Sequence, residues 1–209
     1  MLEFAVGKIS CVKVHDNCQN SKTIFKAVEK SLNFISWNSK LKKGTVILKI
    51  NAVWDKLYPG CTTTPMVIEG VLKLLLATNK FLPQDITIVD TDTAAMKRAD
   101  NSFKVQGIYN LAKRYGVKLI NLSKTDFTEV SFSGQVLKKL KISKVILEAD
   151  NIITIPVLKT HAYSGITASL KNQWGCIHDL RHNYHLVLNQ AIADVNLYLK
   201  DKIKFAVID

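Results

Sequence analysis

A chain of 209 residues with 47% hydrophobic residues is long enough to bury one sizeable core and short for two. With 22% of its residues charged, it is not a disordered polyelectrolyte. Apolar runs such as Val71–Ala77 are broken by lysine well before the roughly 20 residues of a membrane span. Glu3 and Lys8 interrupt the N-terminal apolar stretch, so no secretory peptide is read and a cytoplasmic protein is expected.

The formal net charge of +12 invites a nucleic-acid reading. Against it, only Arg98, Arg114 and Arg181 are arginines, and base-edge or bidentate phosphate recognition favours Arg over Lys. The lysines are also dispersed, apart from Lys138–Lys141 and Lys200–Lys204. A solvated lysine surface is the first expectation and a basic nucleic-acid module the alternative. Cys11, Cys18, Cys61 and Cys176 stand far apart with no C-x-x-C pair. They offer neither a zinc nor an iron–sulfur ligand set, and no disulfide framework.

Along the chain, Phe4–Val14 alternates loosely and suits a strand. Ile24, Val28, Leu32 and Ile35 then recur at helical spacing after Ser21. A turn at Lys42-Lys43-Gly44 leads into the nearly continuous apolar run Thr45–Asn51, as expected of a strand buried on both faces. Thr64 followed by Pro65 predicts a helix start, with the helix reaching Ala77. Asp85–Asp90 reads as a strand, Val105–Tyr115 as a helix closed by Gly116, and Val117–Leu122 as a short strand. Ser123–Lys141 fits a hairpin or an irregular excursion. Asn151–Leu158 is a strand, Ser164–Trp174 a helix, Leu186–Leu199 a helix, and Lys204–Ile208 a last strand. Alternating strands and helices predict a single α/β domain over residues 1–209, Rossmann-like and three-layered, with a mostly parallel sheet. A closing apolar strand with no helix after it predicts a C-terminally incomplete domain.

Ligands of open α/β sheets sit beyond the carboxyl ends of the strands. Lys49 and Asn51, Asp90 and Asp92, Lys159-Thr160-His161, and Asp209 all fall at that edge. The densest group follows Leu158. With a helix assumed from Ser164, Thr167 and Lys171 share one face. Two lysines, an imidazole and a helix N-terminus then make a pocket for phosphate or carboxylate. His161 is also placed to act as general acid or base. The competing reading is a structural network with Asp90, Asp150 or Asp209. Thr62 and Thr63 offer hydroxyls at a second helix start, where simple capping competes with ligand binding. His178, His182 and His185, with Cys176 and Asp179 nearby, are spaced like metal ligands, but no second anchoring group can be named and no metal is assigned. Trp174, Leu170 and Ile177 read as core.

The strings Leu147-Glu-Ala-Asp150, Ile152-Ile-Thr-Ile-Pro156-Val-Leu-Lys159-Thr-His161, Gly165-Ile-Thr, Leu170-Lys-Asn172 and Gly175-Cys176-Ile closely resemble the domain of unknown function 362 family. Val46-Ile-Leu-Lys49-Ile-Asn51, Pro59-Gly60-Cys-Thr-Thr63, Ile88-Val-Asp90 and Ala112-Lys-Arg-Tyr-Gly116-Val agree in order, so the resemblance spans about residues 45–209. It implies an α/β domain and, in many members, an association with iron–sulfur modules. It implies no known reaction. The family's Lys-Pro-Asn strand end stands here as Lys49-Ile50-Asn51. No cysteine-rich module is present, so a cluster would require a missing portion or a ferredoxin-like partner.

Three functions follow as expectations. The first is a small-anion site of an enzyme or enzyme fragment linked to redox metabolism, with Lys159, His161 and Lys171 as the chemical groups. Around them stand Lys49, Asn51, Thr62, Thr63, Asp90, Thr160, Asn172 and Asp209. The others are the basic nucleic-acid module and an inactive truncated or accessory chain.

Overall fold

The structure, a computed structural model, describes residues 7–14, 20–93, 97–178 and 181–209, with only the backbone of His182. In chain order, helix α1 (Ser21–Phe34) is capped by Asn20, whose side chain accepts from Lys22 N. The short α2 (Trp37–Lys40) follows, then strand β1 (Val46–Ile50), α3 (Pro65–Ala77) and β2 (Ile86–Asp90). Next come α4 (Ala99–Val105), α5 (Ile108–Tyr115) and β3 (Lys118–Asn121). The hairpin β4 (Phe127–Ser131) and β5 (Lys139–Ser143), with α6 (Lys144–Leu147), leads to β6 (Asn151–Ile155). A second hairpin, β7 (Lys159–His161) and β8 (Gly165–Thr167), precedes α7 (Ser169–Asn172), α8 (Leu188–Leu199) and β9 (Ile203–Ala206).

Five strands form one parallel sheet in the order β3-β2-β1-β6-β9. Every residue of β1, β2 and β6 is buried, which is why their sequences are apolar without alternation. On one face Val46, Leu48 and Ile50 pack with α1, α3 and α5 residues such as Leu32, Leu72 and Ile108. On the other, Ile47 and Ile152 pack with Leu140 and Ile142 of β5 and with Ala191, Val195 and Leu199 of α8. The result is the expected three-layer, Rossmann-like α/β architecture. Among the described residues no helix is long and apolar enough to cross a membrane.

Four expectations are corrected. Residues 7–14 form no strand; Ile9 is exposed, so their loose alternation creates no buried face. Residues 4–6 lie outside the described ones. The helix expected over Val105–Tyr115 divides, because Gly107 adopts φ +76° between α4 and α5. Leu170, expected in the core with Trp174 and Ile177, is exposed. Most consequentially, Ser164–Trp174 is not one helix: Lys159–Thr167 folds as an antiparallel hairpin, and helix begins only at Ser169. Gly165 adopts φ +72°, a conformation that interrupts a right-handed helix, and β-branched Ile166 and Thr167 suit the strand.

Ser123–Lys141 resolves as the β4–β5 hairpin and its approach. The Asp194 carboxylate of α8 accepts the backbone N–H groups of Gln135, Val136 and Leu137 at 2.7–2.9 Å and so fixes the hairpin's turn.

Candidate functional site

The chain runs from β1 outward to β2 and β3, then returns to place β6 and β9 on the other side of β1. The strand order therefore reverses between β1 and β6, the position where such sheets open a crevice at their carboxyl ends. A cleft of about 590 Å³ lies there, lined by residues at the ends of β1 and β2 and by the β7–β8 hairpin that follows β6.

The cleft floor is a buried polar network. Lys49, 1% exposed, reaches Asp90 Oδ1 at 2.6 Å and donates to Ile50 O at 2.7 Å and Asn172 Oδ1 at 3.3 Å. Asp90 uses its second oxygen to accept Ala52 N. Asn172 ties the sheet to α7 by donating to Lys49 O and Thr154 Oγ1, both at 2.9 Å. Gly175 lies against Lys49 so closely that a Cβ there would stand 3.1 Å from Lys49 Cε and 3.0 Å from Thr91 Cγ2. A buried charge persists only when paired and hydrogen-bonded, and these bonds supply that condition for both partners.

The hairpin forms the wall. Lys159 and Thr167 are directly paired across it, as are His161 and Gly165. Period-2 alternation puts Lys159, His161 and Thr167 on one face and Thr160 and Ile166 on the other. Lys159 Nζ donates to Asn51 Oδ1 at 2.7 Å and to Cys61 O at 2.5 Å. Burial holds its amine below the usual lysine range, against the opposing pull of Cys61 and Asp90. His161 Nδ1 accepts the N–H groups of Tyr163 and Ser164 at 3.2 and 3.3 Å, which leaves its ring proton on Nε2. Burial, then the charges of Lys171, His185 and Lys159, push its pKa below 6.5, so the ring is neutral at pH 7.

Lys171 lines the same cleft, and no described residue gives it an ion pair or hydrogen bond. Burial, then repulsion from Lys159, Arg181 and Lys49, pushes its amine down to about 8. Arg181 donates to the carbonyl of Asp92. Among the described residues, four cations (Lys49, Lys159, Lys171, Arg181) against two carboxylates (Asp90, Asp92) give the lining a formal charge of +2.

Of the residues singled out from sequence, Lys49, Asn51, Asp90, Lys159, Thr160, His161, Lys171 and Asn172 meet at this cleft. Thr62, Thr63 and Asp209 are not in its lining. Thr63 Oγ1 accepts Asn51 N at 2.8 Å and donates to Ile155 O at 2.7 Å, joining the ends of β1 and β6. Asp209 accepts Thr64 N at 2.5 Å, at the start of α3. Asp150 lies at the opposite sheet edge, where its carboxylate accepts Thr45 N and Oγ1. Thr167 needs a different placement from the helical face read in sequence: it reaches the cleft as the strand partner of Lys159. Arg181, Trp54, Tyr163 and His185 also line the cleft and were not singled out as anion-site residues. Only Arg181 carries a usable signal, being one of three arginines in a lysine-rich chain.

Of the spaced histidines, the two with described side chains stack on different rings. His178 stacks on Phe127 at 3.7 Å, whereas His185 stacks on Tyr163 in the cleft at 4.1 Å and 7°. The His182 side chain and Asp179 lie outside the described residues. Among the described residues no group of three or more His, Cys, Asp or Glu is placed to hold a metal ion.

No curated protein matches the chain in sequence. A family model described as "Domain of unknown function (DUF362)" matches residues 46–209, the stretch that builds the sheet, the buried network and the hairpin wall. The chain belongs to this family.

Proposed function

We propose that the cleft binds a small anionic ligand. One observation carries the reading: Lys171 presents a cation to the cleft with no described partner. A partly buried charge is costly without a partner and is stabilised when an anion supplies one. Lys159 adds charge from the hairpin. His161, neutral and protonated on Nε2, adds a hydrogen-bond donor to a bound oxygen. Lys49, Asn51, Asp90 and Asn172 hold these groups in position, with Thr160 at the rim.

Among the described residues no group of cysteines is placed to hold an iron–sulfur cluster. Cys176 is buried and its thiol is pushed up to about 11 by burial, Cys11 is exposed, and Cys18 lies outside the described residues. A redox role therefore runs through a ferredoxin-like partner that brings its own cluster, with this chain supplying the anion site.

Calorimetric titration with inorganic phosphate and with oxalate at pH 7 tests the reading. Wild-type protein should bind at least one of them, and Lys171→Met should weaken that binding tenfold or more while leaving the fold intact. Wild-type affinity in Lys171→Met, or no binding of either anion to wild type, overturns it.

A further inference from the structure

We infer that the ligand of this cleft is a phosphate monoester bearing a planar ring, with its phosphate seated on Thr167, Lys159 and Lys171 and its ring against Tyr163 and Trp54. This rests on the anion-binding reading above and adds the chemical class of the ligand.

The first observation is Thr167. It is 2% exposed, its Oγ1 has no hydrogen-bond partner among the described residues, and it lines the cleft. A buried hydroxyl without a partner is costly, and valine would fill the same space without that cost. Thr167 is the residue directly paired with Lys159 across the hairpin. Lys159, Lys171 and Thr167 thus line the same space.

Charge then selects among anions. The lining carries a formal +2. A phosphate monoester, with a second pKa of about 6, is close to dianionic at neutral pH. It matches that charge, whereas a single carboxylate meets half of it. Its three terminal oxygens also accept more bonds than a carboxylate's two.

Size and wall chemistry supply the ring. A cleft of about 590 Å³ falls in the roughly 300–1,000 Å³ range that encloses whole small molecules, far beyond a bare phosphate. Tyr163 is exposed and held flat by the parallel ring of His185 at 4.1 Å. Trp54 is held by the edge of Tyr58 and by the Arg98 guanidinium 5.7 Å from its ring. Braced, accessible aromatic faces are the surfaces on which planar rings stack.

Calorimetric titration of the intact chain with phenyl phosphate, AMP, methyl phosphate and benzoate tests this. Phenyl phosphate or AMP should bind at least tenfold more tightly than methyl phosphate, and phenyl phosphate at least tenfold more tightly than benzoate. Thr167→Val should weaken phenyl phosphate binding about tenfold with an unchanged or higher thermal midpoint, while Thr167→Ser retains binding. If neither ring-bearing phosphate surpasses methyl phosphate, the ring assignment falls and the anion site stands. Benzoate equal to phenyl phosphate overturns the phosphate assignment, and undiminished binding in Thr167→Val removes Thr167 from the seat. If none of the four probes binds and inorganic phosphate and oxalate also fail, both readings fall together.

Discussion

Lys49 and Lys171 line one cleft, but among the described residues only Lys49 has a charged partner. Replacing Lys49 with Met strands the Asp90 carboxylate in the core, and breaking a buried pair from one side costs about 3–5 kcal/mol. Urea unfolding of Lys49→Met should show a loss of that size; an unchanged midpoint would remove the pair from any stabilising role. Lys171→Met should do the reverse. Its amine titrates at about 8 in the folded chain against the ordinary 10.5, so folding is opposed by this charge at pH 7. The unfolded chain binds more protons between those two values, so wild-type stability rises with pH across that window. The variant should therefore be the more stable protein at pH 7, with its advantage shrinking from pH 8 to 10.5, and wild-type anion affinity should fall as pH climbs through about 8. Lys49 is legible in sequence because a cation inside an apolar strand demands a partner. Thr167 is not, since no local pattern reveals which hydroxyl will be buried without a bond.

At the scale of elements, the two hairpins depend on single devices. The β4–β5 turn is held by Asp194, which accepts three backbone N–H groups. Gly134 is required beside it, since a Cβ there would stand 2.5 Å from Asp194 Oδ2. Burial alone would raise the Asp194 pKa, but the three backbone bonds outweigh it and hold the carboxyl below the usual range. Asp194→Ala should cost about 3 kcal/mol at pH 7, from three N–H groups left unmet. Because the folded pKa is the lower one, that contribution is present above the unfolded value of about 3.9 and fades as pH falls through the folded one. Urea unfolding at pH 7 and again near pH 3 should thus show the gap narrowing; a constant gap would locate the effect elsewhere. The β7–β8 hairpin is the element that sequence reading missed. Thr167 and Lys171, four apart, fit a helical face, and over so short a stretch periodicity does not separate a helix from a strand followed by a turn of helix. What decides is Gly165 at φ +72°, a backbone state invisible in the pattern. Gly165→Ala meets open space and should cost only the left-handed penalty of about 1–2 kcal/mol. Yet it should weaken anion binding, because the face carrying Lys159 and Thr167 shifts.

At the scale of the whole molecule, the strands were legible as continuous apolar runs, and their parallel arrangement follows from the helices between them. The central position of β1, and with it the crevice between β1 and β6, depends on which neighbours each strand chooses, and composition does not encode that choice. The net charge of +12 is likewise ambiguous until it is divided by location. The cleft accounts for a formal +2, and the remainder belongs to the rest of the chain. Charge outside the cleft attracts an anion over distance and is screened beyond about 10 Å at 0.1 M salt. Charge inside holds the ligand through short contacts that salt reaches poorly. Stopped-flow measurement of phenyl phosphate binding, read from tryptophan fluorescence, should therefore show association slowing severalfold between roughly 50 and 200 mM salt. Dissociation should change little. A nucleic-acid surface behaves differently, because several released counterions make affinity for duplex DNA fall by orders of magnitude over the same range. If duplex binding shows that steep fall while phenyl phosphate binding is absent, the +12 marks a polyanion surface and the cleft is not its site. Slower association with steady dissociation instead assigns the surface charge to steering and the +2 of the cleft to capture.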